Sequence, residues 1–306
     1  MRVLIVGAGG VGGYFGAKLA RAGASVVALA RGAHLAALRR DGLRVRSAVE
    51  GEFTASVQAV ESVAGLSPVD VALFCVKSFD TETAAEAIRP AVGPATGVVS
   101  LQNGVDNEET IDRVLGSGHA LGGAAYVFAS IEAPGVIAHR FAGRIVFGEM
   151  DGRSSERALR LRDALSQAGV PVEVSTDIRR VLWEKYVLIS AQAGMTAVTR
   201  CPVGVIRDTP EAWRMYRLIV EELVALARAS GVALAADAVE TIVKSAEGIA
   251  RDAYSSLHHD LVNGKRLELE ALHGQAVRLG ERLGMPTPMV FAVYAALRPH
   301  AAGSRG

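Results

Sequence analysis

The stretch that decides the fold lies near the start of the chain and reads Val3-Leu4-Ile5-Val6-Gly7-Ala8-Gly9-Gly10-Val11-Gly12. Its apolar residues Val3–Val6 predict a buried strand, and the residues Val11–Arg21 predict a helix. The pattern G-x-G-x-x-G between them is informative only where a strand leads into it and a helix leaves it. Both conditions hold here, so the sequence predicts a dinucleotide-binding turn.

The predicted cofactor loop consists of Gly7, Ala8, Gly9, Gly10, Val11 and Gly12. Its first glycine permits a tight turn, its second lets the backbone approach a pyrophosphate, and its last lets the helix pack closely on the strand. The N-terminus of the helix adds unpaired N–H groups and the positive end of a dipole. The alternative is a glycine turn with a structural role only.

Further strands and helices alternate along the first third of the chain. Ser25–Ala30, Val71–Val76 and Gly97–Leu101 predict buried strands, and Thr81–Ile88 predicts a helix between the last two. Such alternation is typical of βαβ units, in which right-handed crossovers build a parallel sheet. The predicted fold class is therefore α/β, with a Rossmann-type dinucleotide-binding domain.

The pattern changes after this parallel part. Ala124–Ser130 and Val136–Glu149 are strand-like segments on either side of the turn Pro134-Gly135, which predicts antiparallel strands added to the sheet. A helix over Ser154–Ala168 and a short strand at Val172–Val174 are expected to complete the first domain.

Beyond Thr176 the sequence predicts helices only. The predicted helices are 177–193, Ala212–Ser230, Ala236–Ala250, Ser255–Leu283 with an interruption at Asn263-Gly264, and Met289–Leu297. We therefore expect a Rossmann domain over residues 1–176 and an all-helical substrate domain over residues 177–306. The tail Ala301–Gly306 is small and polar, and we expect it to be frayed.

The composition restricts the partners of the chain. Its 306 residues suit two domains, and 33 basic against 32 acidic residues give a formal charge of +1. This balance lacks the basic excess that nucleic acid or an anionic membrane would attract. The two cysteines are far apart, and no apolar run is long enough to span a bilayer. A small-molecule partner and a cytoplasmic location are expected, without nucleic acid or membrane.

The end of the second predicted strand distinguishes the two nicotinamide cofactors. An acidic residue there would hydrogen-bond a free ribose 2′-hydroxyl, but the sequence is Ala28-Leu29-Ala30-Arg31-Gly32. The guanidinium of Arg31 suits a 2′-phosphate, which a carboxylate would repel. The sequence therefore favours NADP(H), the alternative being that Arg31 is a solvated loop residue.

A lysine interrupts the apolar face of the helix predicted after Thr176. The stripe Ile178, Leu182, Lys185, Ile189 and Gln192 has the spacing of one buried helical face. An unpaired ammonium is costly to bury, so Lys185 either extends to the surface or lines a polar cavity. In a partly desolvated cleft it could act as general acid toward a carbonyl oxygen that receives a hydride.

Three other polar residues are candidates. Glu268 lies between apolar positions and could balance the charge of Lys185, although a surface helix of mixed charge is the simpler interpretation. Asn103 and Lys77 follow predicted strands at their carboxyl ends, where open α/β sheets bind ligands. For Asn103 an ordinary Asn-Gly turn is an equal alternative. No histidine spacing indicates a metal site, and no G-x-S-x-G indicates a serine nucleophile.

These blocks together resemble the ketopantoate reductase (2-dehydropantoate 2-reductase) family over nearly the whole chain. The resemblance rests on the glycine motif, Arg31, Cys75-Val76-Lys77-Ser78, Leu101-Gln102-Asn103-Gly104-Val105, Trp183-Glu184-Lys185-Tyr186, and Ser255-Ser256 ahead of Glu268. It implies NADPH-dependent reduction of a 2-keto acid to a 2-hydroxy acid, ketopantoate to pantoate in pantothenate biosynthesis. Family members are often homodimers.

The resemblance also implies roles for single residues. Lys185 matches the lysine that protonates the keto oxygen, and Glu268 matches the carboxylate that supports it. Ser256 matches a serine that holds the substrate. Asn103 and Lys77 match residues near the nicotinamide ribose and the reacting centre.

The substrate pocket departs from the family pattern. Where ketopantoate-reducing members carry three asparagines, this chain has Ile189, Ala193 and Val203, and Leu267 replaces the usual threonine before the glutamate. An apolar residue would leave a substrate hydroxyl unpaired, which costs roughly 1–3 kcal/mol each. Two alternatives therefore stay open: a reductase of a branched or aromatic 2-keto acid, and a weakly catalytic binding protein that senses NADP.

Overall fold

The structure is a computed structural model that describes residues Met1–Ser304. Its strands are β1 (Arg2–Val6), β2 (Ser25–Leu29), β3 (Leu43–Ser47), β4 (Gly51–Ala55), β5 (Gln58–Val60), β6 (Val71–Phe74), β7 (Gly97–Ser100), β8 (Ala120–Ala133), β9 (Val136–Glu149) and β10 (Val172–Val174). The α-helices of the first half are α1 (Gly10–Arg21), α2 (Gly32–Asp41), α3 (Thr81–Ile88), α4 (Asn107–Leu115) and α5 (Glu156–Gln167).

The second half is helical. Its α-helices are α6 (Ile178–Thr199), α7 (Val203–Asp208), α8 (Pro210–Ala229), α9 (Ala238–Glu247), α10 (Ser256–Val262), α11 (Gln275–Leu283) and α12 (Pro288–Leu297). A π-helical turn, Glu270–Gly274, leads directly into α11. The predicted fold class, a Rossmann-type domain with an all-helical second domain, is confirmed.

The chain forms two compact units. Unit 1 comprises Met1–Gln102 and Asp106–Val181, and unit 2 comprises Asn103–Val105 and Leu182–Gly306. The division falls inside α6, a few residues beyond the predicted domain boundary, which stays a prediction.

A ten-stranded mixed sheet forms the centre of unit 1. Its strand order is β4-β3-β9-β8-β7-β6-β1-β2-β5, and β10 pairs with β9. The strands β7, β6, β1 and β2 are parallel neighbours, as the alternating pattern predicts. The strands β8 and β9 form the predicted antiparallel hairpin, which is 14 residues long on each side. Apolar side chains cover both faces of the sheet in two separate clusters.

The segment between β2 and β6 contains elements that the sequence pattern did not predict. The helix α2 and the short strands β3, β4 and β5 lie there. In β3, the apolar Leu43 and Val45 are buried while the intervening arginines are more exposed, a period-2 pattern over five residues. The strands are short, and their pairing with the distant β9 and β2 fixes them.

Unit 2 differs from the predicted helices in three places. The first helix extends to Thr199, six residues past the expected end, and the short helix α7 was not predicted. The segment Ser255–Leu283 is helical at its two ends but not throughout. The helical segment α10 ends at the expected Asn263-Gly264, and helical structure resumes before the π-helical turn. The place of the interruption was therefore predicted, whereas the π-helical turn was not.

The carboxyl-terminal tail is not frayed over its described part. The Leu267 N–H donates to the carbonyl of Ala301 at 3.0 Å, and the Ser304 N–H donates to the carbonyl of Gly264 at 3.0 Å. A Cβ on Gly303 would meet the same segment. The residues 301–304 therefore pack against the chain that precedes Glu268, which corrects the expectation for them; 305 and 306 lie outside the described residues.

Candidate functional site

The predicted cofactor loop connects β1 to α1 and is surrounded by backbone. Gly7 has a φ of 93°, which favours glycine, and a Cβ there would lie 2.9 Å from a backbone nitrogen of the segment after β6. A Cβ on Gly10 would overlap the carbonyl oxygen of Ala129 in β8, and one on Gly12 would overlap the carbonyl oxygen of Gly7. A side chain at any of these positions would force the loop open.

Gly9 differs from the other glycines of the loop. A Cβ there would meet no atom of the described residues within 4 Å. Gly9 is the N-cap residue of α1, so this open space lies at the N-terminus of a twelve-residue helix. An exposed backbone at a helix N-terminus suits a pyrophosphate, and the loop therefore fits a dinucleotide.

Unit 1 brings three predicted cofactor residues to one edge of its sheet. The strands β1, β2 and β6 are parallel and in register, with Val6 opposite Leu29 and Phe74. The cofactor loop follows β1, Arg31 follows β2, and Lys77 follows β6. Arg31 is exposed and is the N-cap residue of α2, and Lys77 is half-buried. The carboxyl ends of adjacent parallel strands are where open sheets bind ligands.

Gln102 fixes the backbone beside Lys77. Its side-chain amide is buried and donates to the carbonyl of Val76 at 3.0 Å and to the hydroxyl of Thr81 at 2.8 Å. The buried glutamine therefore links the ends of β6 and β7. Asn103, the next residue, is half-buried and belongs to unit 2.

Sequence reasoning missed Glu108, which lies in the first turn of α4 after β7. Its side chain is 3% exposed, and its Oε2 has no hydrogen-bond partner among the described residues. Burial raises the pKa of this carboxyl to about 7, despite a hydrogen bond from Ser100. A glutamate at the start of a helix is ordinary in sequence, so only the burial distinguishes it.

In unit 2 the candidate lysine lies on a half-buried face of α6. Of the predicted stripe, Ile178 and Leu182 are buried at 1% and 5% exposure, while Lys185, Ile189 and Gln192 are half-buried. The expected buried face is therefore correct for its first two positions only. From Lys185 onward the side chains of the stripe keep access to the exterior, as those of a ligand site must.

Glu268, the candidate partner, is 6% exposed. This burial is the opposite of a surface helix of mixed charge. Leu267 and Leu269 on either side are buried too, at 4% and 0% exposure. The π-helical turn begins two residues after Glu268, and such turns are frequent at functional sites.

Two side-chain hydrogen bonds attach this turn to α6. The hydroxyl of Tyr186, the residue after Lys185, donates to the carbonyl of Leu272 at 2.5 Å. His273 contacts the carbonyl of Ser190 through Nε2 at 3.0 Å. A Cβ on Gly194 would lie 2.7 Å from that Nε2, so the two segments approach closely. Lys185 and Glu268 thus flank a point at which their two segments are joined.

The substrate-binding candidates occupy different surroundings. Ser256 is exposed at the start of α10. Its neighbour Ser255 accepts the N–H of His258 at 3.0 Å and contacts the hydroxyl of Thr196 at 2.7 Å. Thr196 also donates to the carbonyl of Gln192 at 2.8 Å. The hydroxyl of Thr196 therefore uses its proton in a bond within the protein.

The three apolar pocket positions are not equally accessible. Ile189 is half-buried, whereas Ala193 and Val203 are 3% and 2% exposed. Ala193 packs in the hydrophobic core of unit 2, and the Val203 N–H donates to the carbonyl of Ala253. Of the three, Ile189 has the side chain that a ligand could reach directly.

Among residues 1–304, no group of three or more histidine, cysteine or acidic side chains could hold a metal ion. No described helix has the length and apolar character that crossing a membrane requires.

Comparisons with known proteins cover both units. Residues 3–152 match the family model described as ketopantoate reductase PanE/ApbA, and residues 177–301 match the model of the C-terminal part of the same family. A 2-dehydropantoate 2-reductase from Archaeoglobus fulgidus is 34% identical over 284 residues, which are 93% of this chain and 92% of the relative.

Solved structures agree with these matches. A PanE/ApbA family ketopantoate reductase from Ralstonia eutropha JMP134 has a TM-score of 0.91 and 36% identity, with 98% of each chain covered. D-mandelate dehydrogenase, solved with NADH and anilino(oxo)acetate, has a TM-score of 0.90 over 98% of each chain. At 22% identity the second likeness shows the fold alone. The chain belongs to the ketopantoate reductase family of oxidoreductases.

Proposed function

We propose that this chain is an NADPH-dependent reductase that converts a 2-keto acid to a 2-hydroxy acid, with ketopantoate as the default substrate. The observation that carries the proposal is in unit 2. The half-buried Lys185 precedes Tyr186, whose hydroxyl bonds the turn that follows the buried Glu268. An ammonium and a carboxylate on two joined segments suit acid catalysis at a carbonyl.

A bound nicotinamide dinucleotide would supply the hydride for the 2-keto carbon. In the proposed mechanism, Lys185 donates a proton to the keto oxygen as that oxygen becomes an alkoxide, which yields the 2-hydroxy acid. Glu268 supports the lysine as a hydrogen-bond partner, since a carboxylate accepts from an ammonium. Ser256 and Asn103 hold the substrate, and Lys185 regains its proton from solvent after each turnover.

The proposed cofactor is NADPH. The cofactor loop would hold the pyrophosphate, with Lys77 and Asn103 near the nicotinamide ribose. Arg31 is exposed at the carboxyl end of β2, where the adjacent sequence has no acidic residue. A guanidinium there can form charge-assisted hydrogen bonds to a 2′-phosphate.

The rival substrate is a 2-keto acid with a branched or aromatic side chain. Its support is the half-buried Ile189, together with apolar Ala193 and Val203, in place of asparagines that would hydrogen-bond a substrate hydroxyl. A site that lacks such partners gains nothing from the hydroxyl of ketopantoate. A panel of 2-keto acids, followed by the loss of NADPH absorbance, ranks the two. Ketopantoate far below a branched or aromatic keto acid would contradict the default.

Lys185→Met tests the chemistry. Because general acid catalysis contributes about 10²–10⁴-fold, we expect kcat to fall by at least about 100-fold while NADPH still binds. Lys244→Met is the matched control, since Lys244 is an exposed lysine on α9. Unchanged kcat in the Lys185 variant would refute the role of the lysine. A wild type that binds NADPH but reduces no keto acid would favour the NADP-sensing alternative.

Arg31→Ala tests the cofactor. A hydrogen bond to a charged group contributes about 1.5–3 kcal/mol, so we expect NADPH to bind about 10–100-fold more weakly and NADH to bind as before. Arg40→Ala is the control, because Arg40 is exposed on α2, the helix that begins after Arg31, and pairs with Asp41. Equal losses for both cofactors would contradict the assignment.

A homodimer and a cytoplasmic location stay predictions.

A further inference from the structure

We propose that His34 is a positioning residue of the dinucleotide site, which orients the Ala8–Gly9 peptide so that the Gly9 N–H faces the bound pyrophosphate. This inference rests on the proposed function, because it assumes that the cofactor loop binds a dinucleotide. His34 is half-buried in the first turn of α2, three residues after Arg31. It lies outside the glycine motif.

Two backbone groups hold the ring of His34. Its Nε2 lies 2.9 Å from the carbonyl oxygen of Ala8 in the cofactor loop. Its Nδ1 lies 3.1 Å from the backbone nitrogen of Gly135, in the turn between β8 and β9. These contacts join residues that are 26 and 101 positions from His34 in the sequence.

The two contacts determine the tautomer. A backbone N–H can only donate, so Nδ1 must carry the lone pair that accepts from Gly135. Nε2 must then carry the proton in the neutral ring, and it donates to the carbonyl of Ala8. Each ring nitrogen has a partner of the opposite kind, so the ring cannot flip or rotate without losing a hydrogen bond.

Fixing the Ala8 carbonyl also fixes the next N–H. The carbonyl of Ala8 and the N–H of Gly9 belong to one planar trans peptide, in which they point in opposite directions. A ring that holds the oxygen on one side therefore directs the N–H to the other side. Gly9 is the position in the loop where a Cβ would meet open space, at the N-terminus of α1. In the proposal, the N–H of Gly9 meets the anion that approaches through this space.

The same ring relates the loop to the rest of the cofactor site. The helix α2 carries His34 and begins after Arg31, and it is anchored by Leu35 and Leu38 at 5% and 1% exposure. Gly135 has a φ of 78°, and a Cβ there would lie 2.9 Å from the Cβ of Ala37 on α2. The ring of His34 therefore connects α2 both to the cofactor loop and to the turn between β8 and β9.

Cofactor affinity measures this role. We would titrate NADPH and NADH into wild type, His34→Phe and His34→Gln, following protein fluorescence or heat. Phenylalanine fills similar space but provides neither hydrogen bond, so we expect both cofactors to bind about tenfold more weakly, equivalent to about 1.4 kcal/mol. Glutamine offers one donor and one acceptor at similar separation, so we expect affinity within about threefold of wild type.

A matched control separates positioning from general packing. His119 is a half-buried histidine of unit 1 that contacts one backbone carbonyl, that of Thr96, just before β8 begins. We expect His119→Phe to leave both cofactor affinities unchanged. Wild-type affinity in a folded His34→Phe variant would overturn the role of His34 alone. Failure of the wild type to bind either cofactor would overturn the proposed function as well.

A second measurement needs no variant. Nitrogen chemical shifts of the His34 ring in the wild-type protein report which nitrogen carries the proton. We expect the neutral Nε2–H form, with a shift change on addition of NADPH because the adjacent peptide contacts the cofactor. A ring protonated at Nδ1, or shifts that NADPH leaves unchanged, would overturn the proposal even if the phenylalanine variant failed to fold.

Discussion

His34 in unit 1 and His273 in unit 2 each contact a backbone carbonyl, but they differ in how many of their ring nitrogens are hydrogen-bonded. Each ring contacts a backbone carbonyl through Nε2, at 2.9 Å for His34 and 3.0 Å for His273. In His34 the other nitrogen accepts the N–H of Gly135, whereas Nδ1 of His273 is buried without a partner among residues 1–304. His273 is also fully buried, while His34 is half-buried.

The difference shows what each region needs from its histidine. At the cofactor loop, the glycines give the backbone conformational freedom, and a fully bonded ring adds orientation. At the π-helical turn, His273 leaves a lone pair unpaired, which costs about 1–3 kcal/mol. On the other side of the ring, Gly194 packs so closely against Nε2 that a Cβ there would lie 2.7 Å from it. The unpaired Nδ1 of His273 therefore lowers the free energy of unfolding at the π-helical turn.

The largest expected effect concerns the pH dependence of stability through His273. Burial lowers the pKa of His273 from 6.5 to about 4. Between these values the unfolded chain binds a proton that the folded protein does not. The contribution of His273 to the free energy of unfolding is therefore highest above pH 6.5, and it falls by about 3 kcal/mol as the pH falls to about 4.

Chemical unfolding of wild type and His273→Gln at several pH values checks this. The stability of the variant relative to wild type should rise as the pH falls from 6.5 toward 4, because glutamine does not titrate. For His34→Gln we expect the same direction and a smaller change, since burial also lowers the pKa of the less buried His34. A difference between His273→Gln and wild type that is constant with pH would contradict the comparison.

Removal of the second attachment of the π-helical turn should have a smaller effect. Tyr186→Phe deletes the hydroxyl that donates to the carbonyl of Leu272 and leaves this acceptor buried. We expect a loss of about 1–2 kcal/mol in the free energy of unfolding, measured by denaturant titration. If the attachment also holds Lys185 and Glu268 in register, kcat should fall while NADPH affinity is unchanged.

Tyr216 provides the control for that measurement. It is 2% exposed in the same unit, and its hydroxyl is buried without a partner among the described residues. Deleting an unpaired buried hydroxyl removes a desolvation cost, so Tyr216→Phe should be neutral or stabilising. Equal destabilisation by both substitutions would show that the Tyr186 bond adds nothing to ordinary packing.

The amino-acid sequence by itself determined the Rossmann half and the candidate residues. A glycine motif between a strand and a helix is a local signal, because the motif and both elements lie within about twenty consecutive residues. The atoms that exclude a Cβ at Gly7 and Gly10 belong to distant segments, at Val76 and Ala129. The strands β1, β2, β6 and β7 are continuous apolar runs, which parallel sheets require on both faces. The change from strands to helices after Thr176 was equally visible.

Only the tertiary structure decided how these residues are held. Several features depend on contacts between positions that are distant in sequence. They are the burial of Glu268, the attachment of the π-helical turn, the two backbone contacts of His34 and the packing of the tail. No sequence pattern predicts that His34 bonds a carbonyl 26 residues away, or that Tyr186 bonds one 86 residues away. Local periodicity records which side of an element is apolar, whereas a hydrogen bond between elements depends on where the whole chain places its partner.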